Sequence, residues 1–360
     1  MDEHRPDTAF GFTGTWREYA PIAFTNLLLT IVTLGIYRFW AKARTRTYLW
    51  SHTRFIDDPL EWAGTGLELF KGAATVIAVL IVPYFLIGML NQYLILHKQL
   101  AAVAAVSLAM FGGLYYLIGI ARFRALRYRL ARTYWRGIRG GSDDEGFDYG
   151  WQYLWRQAVG TFALGLLIPW SLVTLWNRRW SAMSFGPYEF AAEARVEGLM
   201  GRFLLCYLAP FAGLFAAMAV FIPFGALGAF ARGGGSAISI SIVIGGILAV
   251  IAFYFVFGLV LMGFYAKYFR HVVAGTRLDG LDFAFSARTM DWIKLLAGDA
   301  LLLVLTLGLG IVFLDYRHWS FFIRHMDARG TIDVDAMTQS ETPAPRQGEG
   351  LLDALDLGAF

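Results

Sequence analysis

The sequence predicts an α-helical polytopic membrane protein with four long spans, three short broken segments and small cytoplasmic β-hairpins. Three observations lead to this fold class. Hydrophobic residues make up 57% of the 360 residues and charged residues only 16%, too apolar a composition for a soluble surface. Four stretches carry no charged side chain over the roughly 20 residues that cross a bilayer core. All 12 tryptophans lie outside those stretches, as expected for side chains that prefer the membrane interface.

The charge distribution predicts which side of the membrane the polar segments occupy. The expected spans are Gly72–Leu96, Leu100–Ala121, Phe203–Ala231 and, with its glycine-rich start trimmed, Gly233–Ala266. Of 31 Lys and Arg residues, 25 fall in five blocks, at residues 41–71, 122–156, 177–202, 266–294 and 315–330. The loops within the two span pairs carry only Lys98 and Arg232. Because basic residues near span ends stay cytoplasmic, we expect all five blocks in the cytoplasm of a bacterial inner membrane.

An internal repeat organises the chain. Each short segment has an apolar run, a glycine, a bulky aromatic five residues later and then a basic, aromatic arm. The aligned pairs are Gly35 with Trp40, Gly165 with Trp170, and Gly308 with Phe313. The repeat unit is about 135 residues, present in two and a half copies. We predict an N-terminal segment at 1–20, units at 21–135 and 136–290, a half repeat at 291–330 and a disordered tail at 331–360.

The short segments leave two interpretations open. In the first, they are re-entrant or interfacial and return to the cytoplasmic side, which their central glycines and flanking basic blocks favour. In the second, they span, and successive units are inverted as in many transporters. Beyond the arms, turn residues predict hairpins in TRFIDDPLEW, MSFGPYEF, TRLDGLDFAF and MDARGTIDV, whereas WRGIRGGSDDEG after Thr133 predicts a loop.

Two elements carry a family resemblance. NLLLTIVTLGIYRFWAKARTRTYLWSHTRF from Asn26 and RYRLARTYWRGIRGG from Arg127 resemble the bacterial YjgN-like family, domain of unknown function 898. The resemblance extends to about Gly330 and implies a polytopic inner-membrane protein. It implies no activity and brings no functional residues. The later copies have Leu172 and Asp315 in place of Lys42, so any role of that lysine is confined to the first copy.

Motifs for catalysis are missing from the sequence. It has no phosphate-binding loop, nucleophile elbow, zinc-protease motif or cysteine pair, so we expect no enzyme, cofactor or metal site. The middles of the long stretches carry no ionisable side chain, which argues against ion-coupled transport.

Two groups of residues are candidate sites. The first should meet anionic lipid headgroups at the interface: Trp40, Lys42, Arg44, Arg46, Arg127, Arg129, Trp135, Arg136, Arg178, Arg179, Arg270 and Arg317. The second consists of Asn26, Arg156 and Asp299, which occupy near-equivalent starts of the short segments and would form a buried polar cluster if those segments converge. The basic arms are interleaved with aromatic residues directly after spans, which favours lipid over nucleic acid as partner.

These observations predict a non-enzymatic membrane protein that engages anionic headgroups and organises or passes a small or lipidic ligand. A homo-oligomer is compatible with them. The main alternative is a transporter or channel with inverted repeats, and the third is a lipid-modifying enzyme.

Overall fold

The computed structural model of the chain describes residues 8–230, 235–333 and 337–343. These residues form ten α-helices and ten β-strands. The helices are α1 Trp16–Val32, α2 Arg38–Ser51, α3 Gly66–Leu96, α4 Leu100–Ala131, α5 Phe147–Phe162, α6 Ile168–Trp180, α7 Met200–Phe230, α8 Gly235–Ala274, α9 Thr289–Leu305 and α10 Leu314–His325, which follows a 3-10 helix at Leu309–Phe313. The strands are β1 Phe10–Phe12, β2 Thr53–Phe55, β3 Asp58–Trp62, β4 Thr133–Trp135, β5 Ile138–Gly141, β6 Ser184–Phe185, β7 Tyr188–Ala192, β8 Thr276–Leu278, β9 Leu281–Phe285 and β10 Met326–Gly330.

Consecutive helices pair into five helical hairpins, short and long in alternation, with strands after each one. The three short hairpins reverse at a Leu–Gly pair in which both residues have positive φ, between 50° and 90°, a conformation that favours glycine at the second position. These pairs are Leu34–Gly35, Leu164–Gly165 and Leu307–Gly308. The fifth hairpin returns to the first, since α10 packs against α2 and the 3-10 helix packs against α1. The hairpins therefore form a ring.

The strands form one antiparallel sheet in the order β1 to β10. Its two ends lie side by side, where the backbone N–H of Ala9 donates a hydrogen bond of 3.3 Å to the Asp327 carboxylate. Alternate side chains of a strand face opposite sides, and β2 follows that rule: Thr53 and Phe55 are buried while Arg54 is exposed. One face of this nearly closed sheet is therefore an apolar interior.

The single sheet corrects the prediction of small separate hairpins. MDARGTIDV contributes one strand, β10, which pairs with β9. The predicted loop after Thr133 is the hairpin β4–β5, whose turn residues Arg136 and Gly137 both have positive φ. Strands of two to five residues are marginal as isolated hairpins, and each leaves an edge of unpaired backbone groups. Pairing with hairpins from other parts of the chain satisfies those groups, so one sheet forms instead of several.

The prediction of four long spans is also wrong. Among the described residues, two helical segments are long and apolar enough to cross a membrane, Leu100–Ala131 and Ala249–Ala274. In α3, the apolar segment found among the residues with described side chains is Ile81–Leu96. The predicted spans Phe203–Ala231 and Gly233–Ala266 include positions 231, 233 and 234, which lie outside the described residues.

Part of the predicted tail lies against the sheet. Met337 is buried against Phe55, Trp135 and Leu281, at the end of the sheet where the hairpin turns lie. Residues 334–336 and 344–360 of the predicted tail lie outside the described residues.

Candidate functional site

A cavity of about 320 Å³ lies inside the nearly closed sheet. Its walls come from the inward faces of the strands and from the helices that lead into them, and they are almost entirely apolar. Apolar lining side chains from the strands are Phe10, Phe55, Leu60, Trp135, Phe185, Phe190, Leu278, Phe283, Phe285 and Met326. Those from the helices include Trp50, Leu126, Leu130, Trp176, Trp180, Phe269, Val273, Trp319, Phe322 and Ile323.

Three Trp–Thr hydrogen bonds join neighbouring units around this cavity. The indole N–H of Trp50 donates to the Thr133 hydroxyl at 2.9 Å, and that of Trp176 donates to Thr276 at 3.1 Å. Each threonine hydroxyl in turn donates to the carbonyl four residues earlier, in the last turn of its helix. The third bond has the same form and joins Trp319 to Thr53. The indole N–H groups and threonine hydroxyls of these three pairs are thus satisfied within the wall.

Two arginine residues, Arg129 and Arg179, also contribute to the lining of the cavity. Arg179 is 5% exposed and lies over the ring of Trp176, with 5.8 Å between the guanidinium carbon and the ring centroid. Burial holds the pKa of the Arg179 guanidinium below its ordinary value. The Arg179 guanidinium is thus held within the aromatic wall.

The predicted lipid-contact residues divide by exposure. Exposed residues are Arg44, Arg136 and Arg178, and partly buried ones are Trp40, Lys42, Arg129, Arg270 and Arg317. Two of the exposed arginines form ion pairs, Arg136 with Asp58 and Arg178 with Asp148. The remaining candidates are buried, and these are Arg46, Arg127, Trp135 and Arg179. Their side chains lie in the protein interior, where they are not available to a headgroup at the surface.

The predicted polar cluster does not assemble. Each of its members contacts its own helical hairpin. The Asn26 amide donates to the Ala41 carbonyl at 3.1 Å. Arg156 donates to the Thr174 hydroxyl at 2.8 Å and lies over the Trp170 ring.

Asp299, the third member, is bound within the fifth hairpin. Its carboxylate accepts from Arg317 at 2.5 Å and contacts the His318 ring at 2.7 Å. The register that aligned the three residues therefore marks a contact between the two helices of one hairpin, repeated three times. It does not mark a contact between hairpins.

Sequence reasoning missed the cavity and its Trp–Thr pairs. A signal was present in the motif Thr-x-large apolar at the start of β2, β4 and β8, with Thr53, Thr133 and Thr276 as the threonines. No three His, Cys, Asp or Glu side chains within the described residues are grouped so as to hold a metal ion.

The fold and the cavity define the class of protein to which the chain belongs. The segments Leu100–Ala131 and Ala249–Ala274 each contain an apolar window of 18 residues of which only 11% are buried, as expected for helices that face lipid. The chain is a helical membrane protein with an aromatic-lined cavity in a nearly closed sheet.

The chain belongs to the family described as "Bacterial protein of unknown function (DUF898)", which it matches over residues 7–354. It is similar to the inner membrane protein YjgN of Salmonella typhimurium strain LT2, with 32% identity over 130 residues, which cover 36% of this chain and 30% of that protein. It is 30% identical to the inner membrane protein YjgN of Escherichia coli O157:H7 over 134 residues, 37% of this chain and 31% of that protein. The alignments thus span about a third of these relatives. No solved structure matches the chain.

Proposed function

We propose that this chain is a non-enzymatic, multi-pass protein of the bacterial inner membrane that binds a lipid. An acyl chain occupies the sheet cavity, and basic side chains of the arms attract the anionic headgroup. The observation that carries this proposal is the apolar cavity inside the nearly closed sheet. At about 320 Å³ it lies at the lower end of ligand cavities, which span roughly 300–1,000 Å³. That volume suits part of an acyl chain.

The membrane location rests on the family and on the printed names of the two relatives. A cytoplasmic position of the arms is supported by two features. All ten strands belong to one sheet, so the arms that lead into it lie on one side of any bilayer. The arms also carry most of the basic residues, and such segments stay in the cytoplasm.

Transport through inverted repeats is the weaker candidate, since it requires the short segments to cross the membrane. Each of them reverses at its Leu–Gly pair. That geometry supports an arrangement in which both helices of a short hairpin begin and end on one side.

The first test is lipid retention by a cavity-filling variant. Ile323 is 7% exposed and lines the cavity, so Ile323→Trp should occupy part of its volume. Leu305→Trp, at a side chain that is 73% exposed, is the control. We expect mass spectrometry of the purified proteins to show about tenfold less co-purified lipid in Ile323→Trp than in wild type, corresponding to about 1.4 kcal/mol. The control should match wild type.

The second test uses the unaltered chain, in case the larger side chain disturbs folding. A phospholipid with a diazirine in its acyl chain is cross-linked by light, and the adducts are mapped by mass spectrometry. Adducts on cavity residues such as Phe55, Leu278 and Met326 support the proposal. Adducts confined to exposed helix surfaces, with equal lipid retention by both tryptophan variants, would refute it.

A further inference from the structure

A second pocket, of about 270 Å³, lies outside the sheet cavity, between the first and fifth helical hairpins. Unlike the sheet cavity, it has polar and apolar lining surface in about equal parts. Its polar lining side chains are Asn26, Thr30, Arg38, Lys42, Thr45 and Asp315. Together with Tyr19, these residues come from α1, α2 and α10.

Helical spacing explains why these residues share one pocket. Residues three, four or seven apart lie on the same face of a helix. The lining residues of α1 follow that spacing: Tyr19, Ala23, Asn26, Leu27 and Thr30. Those of α2 do the same: Arg38, Ala41, Lys42 and Thr45. The third wall is the junction of the 3-10 helix with α10, at Ile311, Val312 and Asp315.

The amide of Asn26 has an unused acceptor. The side chain is 6% exposed, and its Nδ2 donates to the Ala41 carbonyl at 3.1 Å and to the Thr45 hydroxyl at 3.4 Å. Its Oδ1 is buried and accepts no hydrogen bond from the described residues. A buried acceptor without a donor costs about 1–3 kcal/mol. A ligand with a donor group would satisfy this acceptor.

The charges of the pocket select the remaining chemistry of the ligand. Arg38 and Lys42 contribute two positive charges against the single carboxylate of Asp315, so the lining favours a monoanion. Arg38 is exposed, which leaves its guanidinium accessible from solvent. Part of the rim is apolar, since Ile311 is 59% exposed beside the polar groups.

We propose that this pocket binds a phosphodiester monoanion that carries a hydroxyl or ammonium donor. The phosphate lies at the exposed guanidinium of Arg38, and the donor reaches Oδ1 of Asn26. A glycerophospholipid headgroup and a free, water-soluble glycerophosphodiester share this chemistry. The site does not depend on a lipid in the sheet cavity, because no residue lines both pockets.

The test uses the full chain in phosphatidylcholine nanodiscs and two soluble probes, measured by calorimetry. Glycerophosphoglycerol carries a phosphodiester and hydroxyl donors, whereas dimethyl phosphate carries the phosphodiester alone. We expect wild type to prefer glycerophosphoglycerol by about tenfold, as for one hydrogen bond to an otherwise unpaired group. Arg38→Gln should weaken both probes by about tenfold. Asn26→Leu should abolish the preference and leave the binding of dimethyl phosphate unchanged.

Arg44→Gln is the matched control, because Arg44 is an exposed arginine of the same helix that does not line the pocket. It should bind both probes as wild type does. If Asn26→Leu does not fold, the comparison of Arg38→Gln with Arg44→Gln decides. Equal losses in those two variants, equal affinity of wild type for both probes, or no binding of either probe would overturn the proposal.

A competition experiment identifies the source of the ligand. Phosphatidylglycerol is added to the nanodiscs, and glycerophosphoglycerol binding is measured again. Loss of soluble-probe binding assigns the site to a lipid headgroup, and unchanged binding assigns it to a free glycerophosphodiester. Ile323→Trp, which alters only the sheet cavity, should bind the soluble probes as wild type does. Failure of the cavity proposal and failure of this one are therefore distinguishable.

Discussion

The indole N–H of Trp319 donates a hydrogen bond of 2.8 Å to the hydroxyl of Thr53, 266 residues earlier in the chain. The Trp319 ring also stacks on Trp50, with 4.0 Å between the ring centroids. Trp50 in turn donates to Thr133 in the next hairpin. One aromatic pair thus joins the last helix, the first helical hairpin and the second β-hairpin. It closes the ring where β1 and β10 meet with few hydrogen bonds.

The first prediction concerns this closure. Trp319→Phe removes the donor, and Thr53→Val removes the acceptor while keeping the shape of the side chain. Each should lower the free energy of unfolding by about 1–3 kcal/mol, because a buried polar group loses its partner. The double variant should lose less than the sum of the two. Trp16→Phe, at an indole that is 58% exposed, is the control and should be near neutral. Strictly additive losses in denaturant titrations would contradict the coupling.

The second prediction concerns Asp299, whose side chain is 8% exposed and bound to Arg317. Arg317→Met leaves the carboxylate buried beside His318 alone. The expected loss is about 2–3 kcal/mol, below the roughly 3–5 kcal/mol of fully buried pairs because Arg317 is 32% exposed. Exchanging the charges, with Asp299→Arg and Arg317→Asp together, should restore part of the stability.

The control for that exchange pairs Asp299→Arg with Arg156→Asp. Arg156 bonds to Thr174 and Gln152, so this combination should restore nothing. Thermal unfolding of wild type, Arg317→Met and the two double exchanges shows which arginine is the partner of Asp299. If the exchange with Arg156 restored stability, Arg156 and Asp299 would be in contact, as the sequence predicted.

The third prediction concerns the reversal of the short hairpins. Gly308 has φ of +90°, and a Cβ at this position would meet no atom within 4 Å. The cost of Gly308→Ala is therefore conformational, and we expect about 1–2 kcal/mol. Gly88, inside α3, is equally free of neighbours but helical, so Gly88→Ala should stabilise by up to about 1 kcal/mol. Opposite signs in the two variants are the expected result, and equal shifts would contradict it.

Local structure was predictable where the turn chemistry was explicit. The segments around Asp-Asp-Pro, Gly-Pro and Asp-Gly are hairpins β2–β3, β6–β7 and β8–β9. The β4–β5 turn was missed because Arg136 adopts a positive φ. Arginine rarely adopts this conformation, so the sequence gives no signal for it. The order of the sheet was also out of reach. Each hairpin pairs with edges that come from other units, and no local pattern encodes that pairing.

The site was less predictable than the fold. Basic and aromatic residues in alternation resemble an interface with lipid headgroups, so Arg46 and Arg179 were expected at the surface. Instead the arms pack inward, and each guanidinium lies over an indole, Arg46 over Trp62 at 4.9 Å and Arg179 over Trp176. The attraction between a cation and an aromatic ring offsets part of the free energy that the guanidinium loses when it is removed from water. Burial of these arginines is therefore less costly.

The fourth prediction concerns Tyr19, which contacts the Thr45 hydroxyl and lines the polar pocket. Burial raises the pKa of the Tyr19 phenol from 10.0 to about 12. Folding thus favours the protonated form, so this contribution to stability is complete below pH 10 and is lost between about pH 10 and 12. The loss should reach about 2–3 kcal/mol. Thermal unfolding across that range should show a shallower decline in Tyr19→Phe, and parallel curves would contradict the assignment.

The last prediction concerns the segment 337–343. The Gln339 side chain accepts from the backbone N–H of Arg139 at 3.1 Å and donates to the Gly137 carbonyl at 2.8 Å. It therefore forms two hydrogen bonds with the β4–β5 turn. Met337 covers Phe55 and Trp135, which also line the cavity. Truncation before Met337 should therefore expose the turn end of the sheet to solvent. We expect faster amide hydrogen exchange in β4 and β5, measured by mass spectrometry.

Two single substitutions separate the polar contact from the apolar one. Gln339→Ala should accelerate exchange at the β4–β5 turn alone. Met337→Ala should instead lower the free energy of unfolding by about 2 kcal/mol, because a buried side chain is truncated. Met290→Ala, at a side chain that is 58% exposed, is the control and should be near neutral. If truncation left exchange in β4 and β5 unchanged, the segment would not protect the sheet, and the cavity would be closed at that end by the hairpin turns alone.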